Sequence, residues 1–429
     1  MRKHLITFII VITLAQNAGL NAKEILYRDA IYDLKVSSIL IKQTGTDERF
    51  AMLNLTGGNT LSMSFDMLES TNDYFQYTIE HCDKDWKPSG LNINDYISGN
   101  QFEQIEQFKF SSNTYKQYTH YEFLFPSGKM KPRIAGNYIL KVYRNFDETD
   151  LLFTRRILII NNVLKLSGTV RSATSANFRF THQEIDFVVE ANGFSIPNPF
   201  NDLHAFIFKN YSWMHCSEML KPQFSNSNTY TFNYEKENVI NGVNEMRFFD
   251  VRGLRTFASG VKSKYFDTSK NQAAVNLFED NNRGSITYLF WQDNNGKTVY
   301  GNRDLPNIAN SEDYLLVNFS LLNSPLFDAK TEVYLLGEFN DWQIDTRYKM
   351  QKNAQGNYTL QSNLKQGYYN YLYATKGNDG KPDFSITEGM HQETENDYRV
   401  LVYHKNQFLR YDELLGFMFL NTLNANTKK

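Results

Sequence analysis

The chain has 429 residues, a formal net charge of −2, and 15% aromatic residues, among them 27 Tyr and 33 Phe. That length leaves room for roughly two to four domains. The near balance of charge excludes the electrostatic footprint of a nucleic-acid or anionic-membrane binder. Heavy aromatic content with only 9 Pro argues against disorder and for extensively buried β-structure.

The chain opens with Arg2 and Lys3, an apolar run over 5–15, and small residues at Ala18, Gly19 and Ala22. This pattern predicts a secretory signal peptide over 1–22, cleaved after Ala22, with Ala18 and Gly19 as alternative sites. Its apolar core is too short for a stable membrane span, and no cysteine near the cut offers a lipid anchor. The mature chain, with 43 basic and 47 acidic residues, carries a net charge of −4 and is expected to be soluble on the far side of the membrane.

The expected fold is all-β: three tandem β-sandwich domains over 23–161, 162–275 and 276–429. In the first, strands are predicted over 36–42, 61–65, 74–80, 118–125, 138–143 and 153–160. Phe75, Tyr77 and Ile79 alternate with Gln76, Thr78 and Glu80, the pattern of one buried and one wet face. Asp83-Lys84-Asp85 supplies a turn, and Trp86 is expected as an anchor in the core of this sandwich. Pro132-Arg133-Ile134-Ala135-Gly136-Asn137-Tyr138 then enters a late strand, as in immunoglobulin- or fibronectin-like sandwiches. The second domain is expected to carry strands over 185–190, 203–208, 230–234 and 245–249. Its Gly193-Phe194-Ser195-Ile196-Pro197-Asn198-Pro199-Phe200 loop is read as exposed aromatic and proline surface. In the third, strands are predicted over 284–291, 315–321, 332–337, 398–403 and within a 350–358 hairpin. Asn295-Gly296 supplies a turn, and Tyr369, Tyr371 and Tyr373 share one strand face. The 411–420 segment fits a helix face through Leu414, Phe417 and Met418, or a bulged strand at Gly416; the strand is preferred.

No catalytic constellation stands out in the sequence. His81-Cys82 and His215-Cys216 place acid–base and nucleophile candidates on adjacent strand positions, which point to opposite faces. Cys82 and Cys216 fall in different predicted domains and are read as separately buried thiols in preference to a bridge. No histidine or cysteine spacing suits zinc, and Asp83-x-Asp85 lacks the remaining ligands of a calcium loop. No nucleotide-binding or nucleophile-elbow motif occurs, so no catalytic residue, metal or cofactor is assigned. A glycosidase carboxylate pair may lie far apart in sequence, but nothing singles one out.

Two patterns resemble known families. The first runs through Tyr77-Thr78-Ile79-Glu80-His81-Cys82-Asp83-Lys84-Asp85-Trp86-Lys87-Pro88-Ser89-Gly90-Leu91, Asn94-Asp95-Tyr96-Ile97-Ser98-Gly99, Ser112-Asn113-Thr114 and Tyr118-Thr119-His120-Tyr121. It continues with Asn198-Pro199, Asn244-Glu245-Met246-Arg247-Phe248-Phe249-Asp250 and Tyr411-Asp412-Glu413-Leu414-Leu415-Gly416. This series resembles the plug proteins of the type IX secretion system of Bacteroidota. The resemblance implies a non-enzymatic periplasmic plug or adaptor that binds the outer-membrane β-barrel translocon and seals its pore, without stable insertion in the membrane. Interface anchors are then expected among Phe194, Ile196, Pro197, Pro199, Phe200, Tyr96 and Phe102.

The second pattern is local. Val333-Tyr334-Leu335-Leu336-Gly337-Glu338-Phe339-Asn340-Asp341-Trp342 looks like glycogen-binding modules and related early-set immunoglobulin-like domains. In that case Trp342 would stack on a sugar, with Phe384 nearest to the second ring; a tryptophan here also serves as a core anchor in this fold, and packing in the turn after its strand is the expected outcome. The family's lysine position falls near Leu372, which cannot donate a hydrogen bond. An exported carbohydrate-binding protein is therefore the alternative reading, and a glycan hydrolase a more remote one.

Overall fold

The computed structural model describes residues 24–69, 73–210, 212–255 and 258–424. The predicted signal peptide lies outside these residues.

The first sandwich pairs Ala30–Ile31, Asp147–Ile160, Gly136–Arg144, Phe75–Cys82 and Glu103–Gln104 in one sheet, with Met52–Asn54 parallel to Asp147–Ile160. The facing sheet runs Val36–Gln43, Leu61–Met67, Thr119–Phe125, Gln107–Phe110. Phe65, Tyr77, Phe123, Leu140 and Phe153 fill the space between them. Phe65 stacks on Tyr121 at 5.1 Å between ring centroids and meets the edge of Phe153 at 5.2 Å. The Gly136-Asn137-Tyr138 entry is closed by Tyr138 Oη donating to Ile134 O at 2.8 Å. The third sandwich repeats this device, with Tyr369 Oη donating to Lys365 O at 2.5 Å.

Gln76 and Thr78 are not wet. Both are buried, with Gln76 Oε1 accepting from Phe146 N at 2.8 Å and Thr78 Oγ1 donating to Gln101 O at 2.6 Å. Polar side chains that bond loop backbone, Thr78 through its hydroxyl and Gln76 through its oxygen, can occupy a buried face that alternation alone assigns to solvent.

The second sandwich sets Lys165–Ser172, His182–Glu190, Thr229–Phe232 and Phe224–Asn226 against Ser212–Cys216, Leu203–Lys209, Asp397–Asn406 and Tyr411–Asn421. Its core joins Ile185, Phe187 and Ile207 to Val400, Val402 and Leu415. The 411–420 segment is a strand, and its register steps from Val402↔Gly416 to Tyr403↔Leu414, so Leu415 is the bulged residue. The C-terminal hairpin thus completes the second sandwich and does not belong to the third, as the expected 276–429 segment had it.

The third sandwich in turn begins before residue 276. Arg247–Asp250 pairs with Gly367–Lys376, and Val261–Asp267 and Gln272–Leu277 lead the sheet continued by Tyr314–Leu321, Tyr358–Lys365 and Gln351–Lys352. Such an interrupted assembly has no local signature, because strand pairing is blind to the length of the excursion between partners. The predicted 284–291 strand does not form either. Its rings are tied to loops: Trp291 Nε1 donates to Met246 O at 2.9 Å, and Tyr288 Oη donates to Glu245.

Candidate functional surfaces and the joints between sandwiches

Several strands carry apolar residues on both faces. In Gly136–Arg144, Tyr138 and Leu140 enter the first core while Ile139 faces away. In Asp147–Ile160, Ile157 and Ile159 face in, and Leu158 and Ile160 face out. In Asp397–Asn406, Val400 and Val402 face the second core, and Leu401 and Tyr403 face out. The outward sets meet in one cluster with Phe50, Cys82, Trp86, Phe208 and Leu414, which joins the first sandwich to the second.

Trp86 is buried in this joint, not in the core of the first sandwich. Its ring meets Trp213 edge-on at 5.1 Å, and the Arg156 guanidinium lies 4.4 Å from Trp86 and 4.9 Å from Trp213. Arg156 Nε and Nη2 donate to Tyr27 O at 3.1 and 2.9 Å. A desolvated guanidinium held by a backbone carbonyl and lying over two indoles ties the two rings together.

Cys82 lies within this cluster and Cys216 packs against it, both as free thiols. Burial pushes each thiol up to about 12, and burial pushes His81 down to about 4. At neutral pH these are uncharged groups, without the thiolate that nucleophilic chemistry needs. The side chain of His215 is not among those described. Among the described residues no group of three or more His, Cys, Asp or Glu is arranged to hold a metal ion. No helix among them is long and apolar enough to cross a membrane.

The joint between the first and third sandwiches is polar. Asp66 is fully buried and accepts from three groups: His120 Nδ1 at 2.6 Å, Lys365 Nζ at 2.7 Å and Tyr314 Oη at 2.8 Å. Burial works against its charge, but His120 and Lys365 outweigh it and hold the carboxyl below its usual range. Lys365 also lies 4.4 Å from the Tyr118 ring. Nearby, Arg49 reaches Thr298 O at 2.9 Å and Glu338 at 3.4 Å, and Arg155 reaches Asp341 at 3.5 Å. Asp313 of the third sandwich accepts the backbone N–H groups of Tyr115 at 2.8 Å and Lys116 at 3.0 Å.

Trp342 is 3% exposed and cannot offer a face to a sugar. The turn that carries it explains why. Asn340 accepts from Gly337 N at 3.0 Å and donates to Leu335 O at 2.9 Å, while Asp341 and Trp342 adopt left-handed φ of 54° and 57°. This folds the indole back into a cluster with Met246, Leu336, Leu372 and Phe384. Gly296, at φ +96°, lies against the ring; a Cβ there would stand 2.8 Å from Trp342 Cζ2. The residue that the carbohydrate reading needs as a platform is a core side chain, packed in the turn as expected.

The expected interface anchors divide. Tyr96 and Ile196 are buried in the first and second cores. Phe194 is half-buried, edge-on to His404 at 5.2 Å, and Pro199 is half-buried at the start of the Pro199–Asp202 helix. Pro197, Phe200 and Phe102 are exposed, and Phe102 pairs with Phe146 at 5.9 Å. More exposed aromatic surface sits beyond these seven residues, part of it in the 96–110 stretch that was also expected to supply anchors. Phe108 and Phe110 lie on Gln107–Phe110 with rings 5.7 Å apart, and Tyr115 packs 4.8 Å from Phe266.

Residues 36–161 match the family described as the type 9 secretion system plug protein first domain. The first sandwich belongs to that family. The plug domain so delimited ends one residue beyond the strand Asp147–Ile160. Over nearly the whole chain, the fold is similar to the crystal structure of a hypothetical protein from Parabacteroides merdae, with 26% identity and a TM-score of 0.87, covering 93% of this chain and 100% of that one. The alkylpurine DNA glycosylase AlkC of Pseudomonas fluorescens aligns at 10% identity over 29% of this chain and 30% of its own, with a TM-score of 0.18. InvD of Yersinia pseudotuberculosis aligns at 11% identity over 90% of this chain and 98% of its own, with a TM-score of 0.17. No curated protein matches the chain.

Proposed function

We propose that this protein is a periplasmic plug of the type 9 secretion system, which binds the outer-membrane β-barrel translocon and blocks its pore. The observation that carries the reading is the match of residues 36–161 to the plug-protein first domain. The joints are consistent with it. A stopper must hold its shape against a pore, and here the first sandwich is locked to the second by apolar packing and to the third by buried ionic contacts. Sealing needs no reaction chemistry, only a complementary surface of about 1,200 Å² or more. The carbohydrate-binding alternative loses its main residue with the burial of Trp342.

The test is affinity purification of the full-length protein from outer membranes, with identification of the proteins recovered. The barrel translocon is the expected partner, and adding the protein to the reconstituted barrel should close its conductance. Recovery without any barrel would overturn the reading.

A further inference from the structure

Gln107–Phe110 is the last strand of its sheet, hydrogen-bonded only to Thr119–Phe125 among the described residues. Its register is Gln107↔Glu122, Phe108↔Tyr121, Lys109↔His120 and Phe110↔Thr119, and the next pair in that register, Ser111 and Tyr118, is closed by Ser111 N donating to Tyr118 O at 2.9 Å. In an antiparallel ladder, pairs alternate between bonding each other and bonding outward. Counting back from Ser111, Lys109 and Gln107 bond to the neighbouring strand. The N–H and C=O groups of Phe110 and Phe108 therefore point away from it, along the open edge.

The same two residues carry the unpaid-for side chains of the sheet. Opposite Thr119 and Tyr121, Phe110 and Phe108 share the face that elsewhere forms the first core, and Phe108 lies 5.8 Å from the Tyr121 ring. Yet they are 67% and 53% exposed, because the facing sheet does not extend over them. Edges of this kind are normally blunted or covered. This one is short and carries Lys109 on its opposite face, and it is held in place at both ends: Ile105 N donates to Phe75 O at 2.8 Å before it, and Ser112 N to Asn310 O at 3.0 Å after it.

We infer that Gln107–Phe110 is the docking edge for an extended segment of the translocon partner, which adds to this sheet as a fifth strand. The inference rests on the plug reading. The edge specifies its occupant: backbone donors and acceptors at Phe108 and Phe110 require another strand, and the two rings require apolar side chains at alternate positions of it. A second copy of this chain is the poorer occupant. Four residues against four bury far less than the ~1,200 Å² that a stable pair needs, whereas a segment of a larger partner is only part of that partner's contact with this chain.

The experiment captures the barrel translocon on full-length protein from native outer membranes, comparing wild type with Phe108→Ser/Phe110→Ser and with Lys109→Ser. Lys109 sits on the opposite face of the strand and serves as the control. Thermal melts verify that each variant folds. A photo-reactive residue at position 110 then locates the contact in the partner. The expected result is capture at least about tenfold weaker in the double serine variant, unchanged in Lys109→Ser, with crosslinks to an extended partner segment. If wild type captures the barrel and the folded double variant does so equally well, the edge inference falls and the plug reading stands. Crosslinks between two copies of this chain overturn the inference in the same way. If wild type captures no barrel, both fall.

Discussion

The Asp66 joint permits a quantitative test. Asp66→Asn keeps the shape of the side chain but removes its charge, leaving the Lys365 ammonium, 6% exposed, without a carboxylate. Breaking a buried pair from one side costs about 3–5 kcal/mol, most of it the uncompensated charge. Three charge-assisted hydrogen bonds are altered at once, which places the expected loss in that range. Replacing both partners, as Asp66→Leu with Lys365→Met, should recover much of it, since no buried charge is then orphaned. Urea unfolding followed by fluorescence is well suited, because Trp86 and Trp213 report on the first–second joint while Trp291 and Trp342 report on the third sandwich. The pH dependence has a definite sign. A carboxyl held below its unfolded value of 3.8 contributes stability above that pH and loses it as pH falls through the lower folded value. The cost of Asp66→Asn should thus be full at pH 7 and disappear in strong acid. A loss below about 1 kcal/mol at pH 7, the worth of a surface pair, would refute a buried lock.

Trp342→Ala should destabilise the third sandwich by about 3–5 kcal/mol, seen as a lowered melting temperature, and calorimetry with a maltooligosaccharide should give no saturable heat in wild type. Trp86→Ala should cost a similar ~3–5 kcal/mol but act on the first–second joint, so limited proteolysis should reach the segment around Trp213 sooner. Burial pushes the Glu245 carboxyl up to about 7, so between 4.5 and 7 the folded chain holds a proton that the unfolded chain releases. Stability should therefore fall by about 3 kcal/mol as pH rises through that window, and Glu245→Gln should flatten this part of the profile in melts at pH 5 and 8.

The all-β architecture and most strands were legible because period-2 alternation and turn residues are local signals. The bulge near Gly416 was legible for the same reason. What alternation hid is the second buried face. Ile157-Leu158-Ile159-Ile160 and Val400-Leu401-Val402-Tyr403 are unbroken apolar runs, and a strand buried on both faces reads that way. Those runs were the available signal for sandwiches stacked sheet on sheet, and they would have moved Trp86 from a core to a joint. The closure of the second sandwich by the C-terminal hairpin had no such signal, since its partner Leu203–Lys209 lies nearly two hundred positions earlier. Trp342 was ambiguous because a sugar platform and a turn anchor use the same residue; the two left-handed residues that decide it are invisible in sequence. Phe108 and Phe110 were visible as aromatic residues, but their exposure depends on how far the facing sheet extends.

The two joints of the plug domain constrain where a partner can act. One is held mainly by apolar packing around a buried guanidinium, which salt does little to weaken; the other places its charges in the interior, where screening by salt is slight. A body held in this way does not open under ordinary changes of ionic strength, and the faces committed to the joints stay closed to partners. Recognition must then fall on surface the joints leave free. On the plug domain, the Phe108–Phe110 edge is a free surface that combines outward backbone hydrogen-bonding groups with large apolar side chains. Because Ile105 and Ser112 pin that edge to the rest of the molecule, adding a strand requires little further ordering of this chain. The entropic cost of binding falls chiefly on the partner's segment.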